Sequence, residues 1–217
     1  MNKYEMLYDD KIEMGGHTLY RIRALKDFGN VKTGDIGGYI EKEENLSQED
    51  TCWVYGNACV YDNAFVQGNA RVFGDARVFG DARVFGNARV FGNARVFGDA
   101  RVFGDARVFG NARVFGDARV FGDARVCDNA RVCDNAKVRE ISDVLCISPI
   151  GSRNDATTFF KTKDNNIGVK CGCFTGTIDD FWEAVNKTHG ENKHAKAYKL
   201  ACELVRVQIE LEDKINE

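Results

Sequence analysis

The 217-residue chain is short of several things that would otherwise guide its reading. No stretch approaches the ~20 apolar residues of a membrane-spanning helix, which excludes a helical membrane protein. The start, Met1 to Asp10, shows no positive segment followed by an apolar run, so no signal peptide is expected and the default location is cytoplasmic. Net charge is only −3, and no region is strongly basic: residues 54–143 carry 13 basic against 11 acidic groups. That argues against a nucleic-acid partner drawn by charge. Histidine occurs three times, never between Gly34 and Pro149. The eight cysteines replace other residues one at a time and form no framework, so they read as free thiols in a reducing compartment.

What the chain has in excess is a six-residue period. From Val54 to Asp143 it reads Val-Phe-Gly-(Asn or Asp)-Ala-Arg over most of its length, and a fixed short period means a solenoid whose core is built by stacking. Valine recurs at every sixth position, with alanine four residues after nearly every one. Two small or branched apolar positions per hexad fill a narrow interior, and the branched Val suits a strand. Gly followed by Asn or Asp is corner chemistry, because these residues tolerate left-handed backbone conformations.

The repeat resembles the left-handed parallel β-helix of hexapeptide-repeat proteins, a likeness that implies three hexads per triangular coil. Fifteen hexads then give five coils at a strand spacing of about 4.8 Å, a prism roughly 24 Å long. Upstream, Ile36-Gly37-Gly38-Tyr39-Ile40-Glu41 is a hexad in phase with Val54. Leu46 and Cys52 fall on the inward alanine position, and Lys42 and Gln48 on valine positions. Residues 36–53 are therefore expected to be a degenerate capping coil, with Trp53 shielding the end.

The expected fold is mainly β, in three parts. Residues 1–35 form an N-terminal β cap, in which Tyr4, Met6 and Tyr8 alternate before a Gly15-Gly16 turn and a second strand from Leu19 to Leu25. His17 beside that turn reads as a surface residue. Residues 36–149 form the β-helix of about six coils, and Pro149 with Gly151 marks its exit. Residues 150–217 form a small α+β module with a hairpin of Thr157–Thr162 and Ile167–Phe174. Its first helix starts at the Thr177/Asp180 capping box and ends near Gly190. Its second helix starts near Lys193 and carries Ala197, Leu200, Ala201, Leu204, Val207, Gln208 and Leu211 on one face.

Two stretches carry a further resemblance. Gly34-Asp35-Ile36-Gly37-Gly38-Tyr39-Ile40, with Asn45-Leu46-Ser47 and Cys52-Trp53-Val54-Tyr55-Gly56-Asn57-Ala58, is similar to uncharacterised bacterial and prophage hexapeptide-repeat proteins. Pro149 to Asp155, Cys171 to Thr177 and Thr188-His189-Gly190 resemble C-terminal segments of phage and prophage proteins of unknown role. The likeness implies a mobile-element origin and no known activity.

Outward columns distinguish the repeat. Each strand presents Arg before its valine and an aromatic after it. The columns are Tyr55, Phe73, Phe91, Phe109 and Cys127; Tyr61, Phe79, Phe97, Phe115 and Cys133; and Gln67, Phe85, Phe103 and Phe121. Three uses compete: rings stacked under Arg stems with corner Asp residues offsetting the charge, burial in a homo-oligomer for which a trimer is expected, and a groove for bases and phosphates. The Asp content weighs against the last.

Hexapeptide-repeat proteins are best known for acyl transfer from a coenzyme A thioester, with a histidine base in many families. This repeat offers no histidine and no acceptor loop, so acyltransferase is the alternative, and no cofactor or catalytic residue is assigned. The main expectation is a non-enzymatic scaffold presenting a C-terminal recognition module for a host protein or small phosphorylated ligand. Ser152, Arg153, Asn154, Asp155, Lys170 and His189 are the candidate ligand-binding residues, since Arg153 or Lys170 could hold a phosphate or carboxylate. The same polar residues also suit plain turns. Cys171 and Cys173, two apart, should share one face of a strand; CxC alone does not make a metal site.

Overall fold

The computed structural model describes residues 2–211. Strands β1 (Tyr4–Met14) and β2 (His17–Ala24) pair antiparallel around Gly15 and Gly16. β2 pairs antiparallel with β3 (Ile36–Ile40), which starts the solenoid. Fifteen two-residue strands follow, from β4 (Trp53–Val54) to β18 (Lys137–Val138). They fall into three parallel sheets in strict register, as in Arg71, Arg89 and Arg107 side by side. The result is a three-sided β-solenoid.

Its interior follows from the two apolar positions of each hexad. Every valine and alanine of the repeat from Val54 to Val138 is buried, none more than 2 % exposed. The corners need glycine for a steric reason: Gly80 has φ +69°, and a Cβ there would stand 2.9 Å from the amide nitrogen of Gly98 stacked on it. Asp62, Asp128 and Asp134 take the same positive φ near the ends of the prism, where their carboxylates accept from Gly80 N, Cys127 Sγ and Cys133 Sγ.

The leading coil corrects the expected phase. Ile40 pairs with Val60 and Leu46 with Val66, so both stand on the valine position and Ile36 is left 53 % exposed. Two extra residues cause the shift. The amide of Ser47 bonds Val66 but that of Thr51 bonds Gly68, and the surplus is taken up at Gln48 to Asp50, where Asp50 has φ +54°. Cys52 does stand inward, fully buried. Asn45, also fully buried, donates its amide to the carbonyls of Asp62 and Ala64, satisfying what the irregular coil leaves open.

Both ends of the prism are plugged by aromatic side chains. At the leading end Trp53 is 1 % exposed and meets Tyr4 and Phe28 edge-on at 6.0 and 5.3 Å. At the trailing end a four-stranded antiparallel sheet, β19 (Val144–Ile150), β20 (Asp155–Lys161), β21 (Ile167–Cys171) and β22 (Phe174–Thr177), lies across the last coil. Successive residues of β20 face opposite ways. Phe160 joins the solenoid core, while Phe159 joins a second core beneath helices α1 (Ile178–His189) and α2 (Lys193–Gln208). The sheet therefore begins at Val144, before the Pro149–Gly151 exit, and works as a cap. The amide of Arg131 donates to Thr158 Oγ1 at 2.9 Å, and Lys163 N to Asn135 O, tying cap to coil.

Helix α1 begins at the reciprocal Thr177/Asp180 box and ends at Gly190, φ +54°. The buried face of α2 is Ala195, Tyr198, Ala201, Cys202 and Val205. The expected face is corrected: Leu200, Leu204 and Val207 are 66, 53 and 81 % exposed, because Tyr198 packs edge-on to Phe181 and fixes the helix rotation. The hairpin is also corrected. Gly172 (φ +56°) and Cys173 form a two-residue turn between paired Cys171 and Phe174, so Cys171 and Cys173 do not share one strand. No helix among the described residues is long and apolar enough to cross a membrane.

Burial sets a pH dependence. It pushes the thiols of Cys59 and Cys202 up to about 11, and that of Cys133, which also donates to Asp134, up to about 12. These groups are neutral when protonated, and an unfolded thiol releases its proton near 9.0. Between those limits the unfolded chain binds fewer protons than the folded one, so stability falls as pH rises from about 9 towards 12. Urea midpoints measured under reducing conditions should decline over this window; flat midpoints would mean that the thiols are solvated.

Candidate functional site: a pocket in the C-terminal module

The β19–β20 loop, the β21–β22 turn and the facing sides of α1 and α2 enclose a cavity of about 220 Å³. Its floor is apolar, formed by Ile150, Phe174, Phe181, Ala184, Val185 and Tyr198, and its rim carries Ser152, Arg153, Asp155, Thr188 and His189. Gly151, φ +73°, makes the arrangement possible: a Cβ there would overlap the Tyr198 hydroxyl at 1.8 Å. The Arg153 guanidinium lies over Gly172, 3.3 Å from where a Cβ would stand. Both glycines thus let a side chain close over bare backbone.

Below the rim, Thr157 Oγ1 donates to Cys171 Sγ at 3.1 Å, and Cys171 Sγ lies 3.6 Å from the Tyr198 hydroxyl. Burial, then Cys171, pushes Tyr198 up to about 12, while Arg153 pulls the other way. At neutral pH the floor is therefore uncharged. His189 closes α1 beside His194 and Tyr198, at ring separations of 5.7 and 6.1 Å. Among the described residues no carboxylate forms an ion pair with Arg153. An apolar floor under a rim of Arg, His and hydroxyl groups suits a small molecule with one apolar part and one anionic group.

Of the candidate residues, Ser152, Arg153, Asp155 and His189 meet here. Asn154 instead takes the φ +50° position of the loop. Lys170 points elsewhere: its ammonium donates to Thr175 Oγ1 and acts on Cys133 at the trailing coil. Tyr198, Phe174 and Phe181 went unrecognised as pocket residues. The 195/198/202/205 spacing on α2 was the one signal that could have placed Tyr198 inward.

The outer columns of the solenoid are ladders. Phe73, Phe91 and Phe109 stack at 4.7 and 4.9 Å with planes within 3°. Tyr61, Phe79, Phe97 and Phe115 form a second stack, and Phe85, Phe103 and Phe121 a third. The corner side chains bond one another, as Asn69 to Asn87 and Asn87 to Asp105, each at 3.1 Å. Among the described residues no repeat arginine is within ion-pair range of a carboxylate, so the corner Asp residues do not offset the arginines by direct pairing.

His17 is more than a surface residue. Its Nδ1 lies 2.9 Å from Glu41 Oε1 and its Nε2 3.2 Å from Asp62 Oδ1, and the Glu41 hydrogen bond raises its pKa. Both ring nitrogens are engaged, which suits an imidazolium bridging hairpin and corner.

The solenoid's repeat connects the chain to known proteins. The family described as "YdcK Beta solenoid repeat" matches residues 76–90, 82–96, 88–102, 100–114, 106–122 and 112–128. The prism is similar to the YdcK β-solenoid. A 37-residue stretch is 46 % identical to "Uncharacterized acetyltransferase YdcK" of Escherichia coli (strain K12), covering 17 % of this chain and 11 % of that protein. The chain thus matches about a tenth of the length of this curated relative. The YdcK family matches lie within the prism, away from the C-terminal pocket.

Proposed function

We propose that this chain is a non-enzymatic β-solenoid scaffold whose C-terminal module binds a small phosphorylated ligand in the pocket between β19, β21 and the two helices. One observation carries the reading: Ser152 and Arg153 of the β19–β20 loop and the distant His189 at the end of α1 meet on the rim of one cavity with an apolar floor. The solenoid multiplies and spaces the modules if chains assemble through their Phe faces as a homotrimer, and such multivalency raises avidity for a partner. A phage or prophage origin with a host protein as that partner fits the same arrangement.

The second reading is acyl transfer, favoured by the short match to a relative named an acetyltransferase. His189 is the base it would need, and the reading predicts turnover of acetyl-coenzyme A that His189→Ala abolishes.

Native mass spectrometry of the full chain tests the first reading. A small mass retained by the wild type and lost in Arg153→Gln is the expected result. Retention that is equal in both would move the ligand away from the pocket.

A further inference from the structure

We propose that two copies of this chain pair through the outer faces of their α2 helices, antiparallel about a twofold axis level with Cys202. Ala197, Leu200, Leu204 and Val207 recur at intervals of three, four and three, which sets them along one line of the helix. That line turns away from the module's core. Leu200, Leu204 and Val207 are each more than half exposed, while Tyr198, Cys202 and Val205 of the same helix are buried. Three bare aliphatic groups in a row on a 16-residue helix form the kind of apolar patch that marks a contact. The pocket lies on the other side of α2, at Tyr198. The pairing therefore leaves the ligand site open, and it does not require the Phe ladders to assemble.

The charges of α2 say what covers the line. Its first half carries Lys193, Lys196 and Lys199 and no acid, whereas Glu203 opens the second half and Glu210 stands just past the helix end. The basic group of that second half, Arg206, is taken by Asp179 at 2.6 Å. Lys196, Glu203 and Glu210 recur every seventh residue, so they run beside the apolar line like the flanking positions of a coiled coil, which set partner and orientation. All three are exposed, and among the described residues none of them is in an ion pair. A parallel copy would set lysine against lysine. An antiparallel copy sets the basic half of each helix against the acidic half of the other, with Ala197 opposite Val207 and Leu200 opposite Leu204.

The helix ends favour the same arrangement. The first turn of α2 holds no acidic group and begins with Lys193, a positive charge at the positive end of the macrodipole. An antiparallel partner brings its negative C-terminal end beside that lysine. The contact is isologous, each helix using the same line. One helix line per chain is less than the area of a stable interface, so the pairing is weak, with a dissociation constant on the order of 100 µM.

The test is sedimentation equilibrium of the full chain from well below to well above that constant. The wild type should show an association step that Leu200→Glu with Leu204→Glu removes. Lys196→Glu with Lys199→Glu should weaken the step roughly tenfold, and adding Glu203→Lys and Glu210→Lys to that variant should restore it. All the altered side chains are exposed, and equal denaturation midpoints in dilute solution confirm that the variants fold. Orientation is read by carbodiimide cross-linking of a mixture of isotopically heavy and ordinary chains, which should join Lys196 of one to Glu210 of the other. Within one chain or a parallel pair, those residues stand about 21 Å apart along the helix axis. No association step, a step that the leucine variants leave unchanged, a fourfold charge swap that does not restore it, or the absence of the Lys196–Glu210 link between chains would each overturn the proposal.

Discussion

Phe160→Ala should lower the stability of the chain by about 3–5 kcal/mol, the usual cost of removing a fully buried ring whose space cannot collapse. The ring is 1 % exposed, belongs to the solenoid core, and lies so close over Gly168 that a Cβ there would stand 2.4 Å from it. A solenoid lacking its end cap exposes the inner side chains of its last coil, here Ala130, Val132, Ala136 and Val138. Urea denaturation should show the loss as a lower midpoint, with Phe160→Leu costing less because it leaves a smaller void. A loss under about 1 kcal/mol would mean that the module sits beside the prism and does not plug it.

Trp53→Ala should cost a similar amount, about 3–5 kcal/mol, at the opposite end. The indole is the largest fully buried side chain among the described residues, and Tyr4 and Phe28 pack on it edge-on. Its loss also undermines Lys3, buried at 1 %, whose ammonium donates to the carbonyls of Glu49 and Cys52 at 3.0 Å each. A buried ammonium depends on those acceptors. The N-terminal hairpin should therefore loosen before the repeats do, read as faster amide exchange in β1 than in the central coils. Uniform exchange across both regions would contradict the end-plug account.

The repeat was legible because its period does two jobs at once. Val and Ala at fixed spacing fill the interior, and Gly with Asn or Asp turns the corner, so each hexad states both core and fold. The α1 boundaries were legible for a similar reason, since Thr177, Asp180 and Gly190 are local capping chemistry. What failed was long-range. Counting back in sixes put Ile36 inside, but two residues of surplus at Gln48–Asp50 moved the phase, and a period cannot reveal its own interruption. The rotation of α2 failed likewise: Leu200, Leu204 and Val207 look like a core stripe, yet Tyr198 and its place against Gly151 and Phe181 decide which face turns in. Four of the six ligand-binding candidates met because the β19–β20 loop, the start of β20 and the end of α1 converge over one sheet, and Lys170 escaped because alternation along β21 sends it to the other side.

The solenoid and the module divide the work between them. Stacked hexads give a stiff body with three similar faces, and the module is where polar groups converge on a cavity. If this division holds, changes in the pocket should leave the prism intact and changes in the repeat should leave the pocket's affinity intact.

The measurement that tests this most directly is an amide chemical-shift titration of the full chain with phenyl phosphate, a probe joining a small apolar ring to one phosphate. Shifts concentrated at Ser152, Arg153, Gly172 and His189, and abolished by Arg153→Gln, are the predicted result. Shifts spread along the arginine columns, or unchanged by Arg153→Gln, would contradict it.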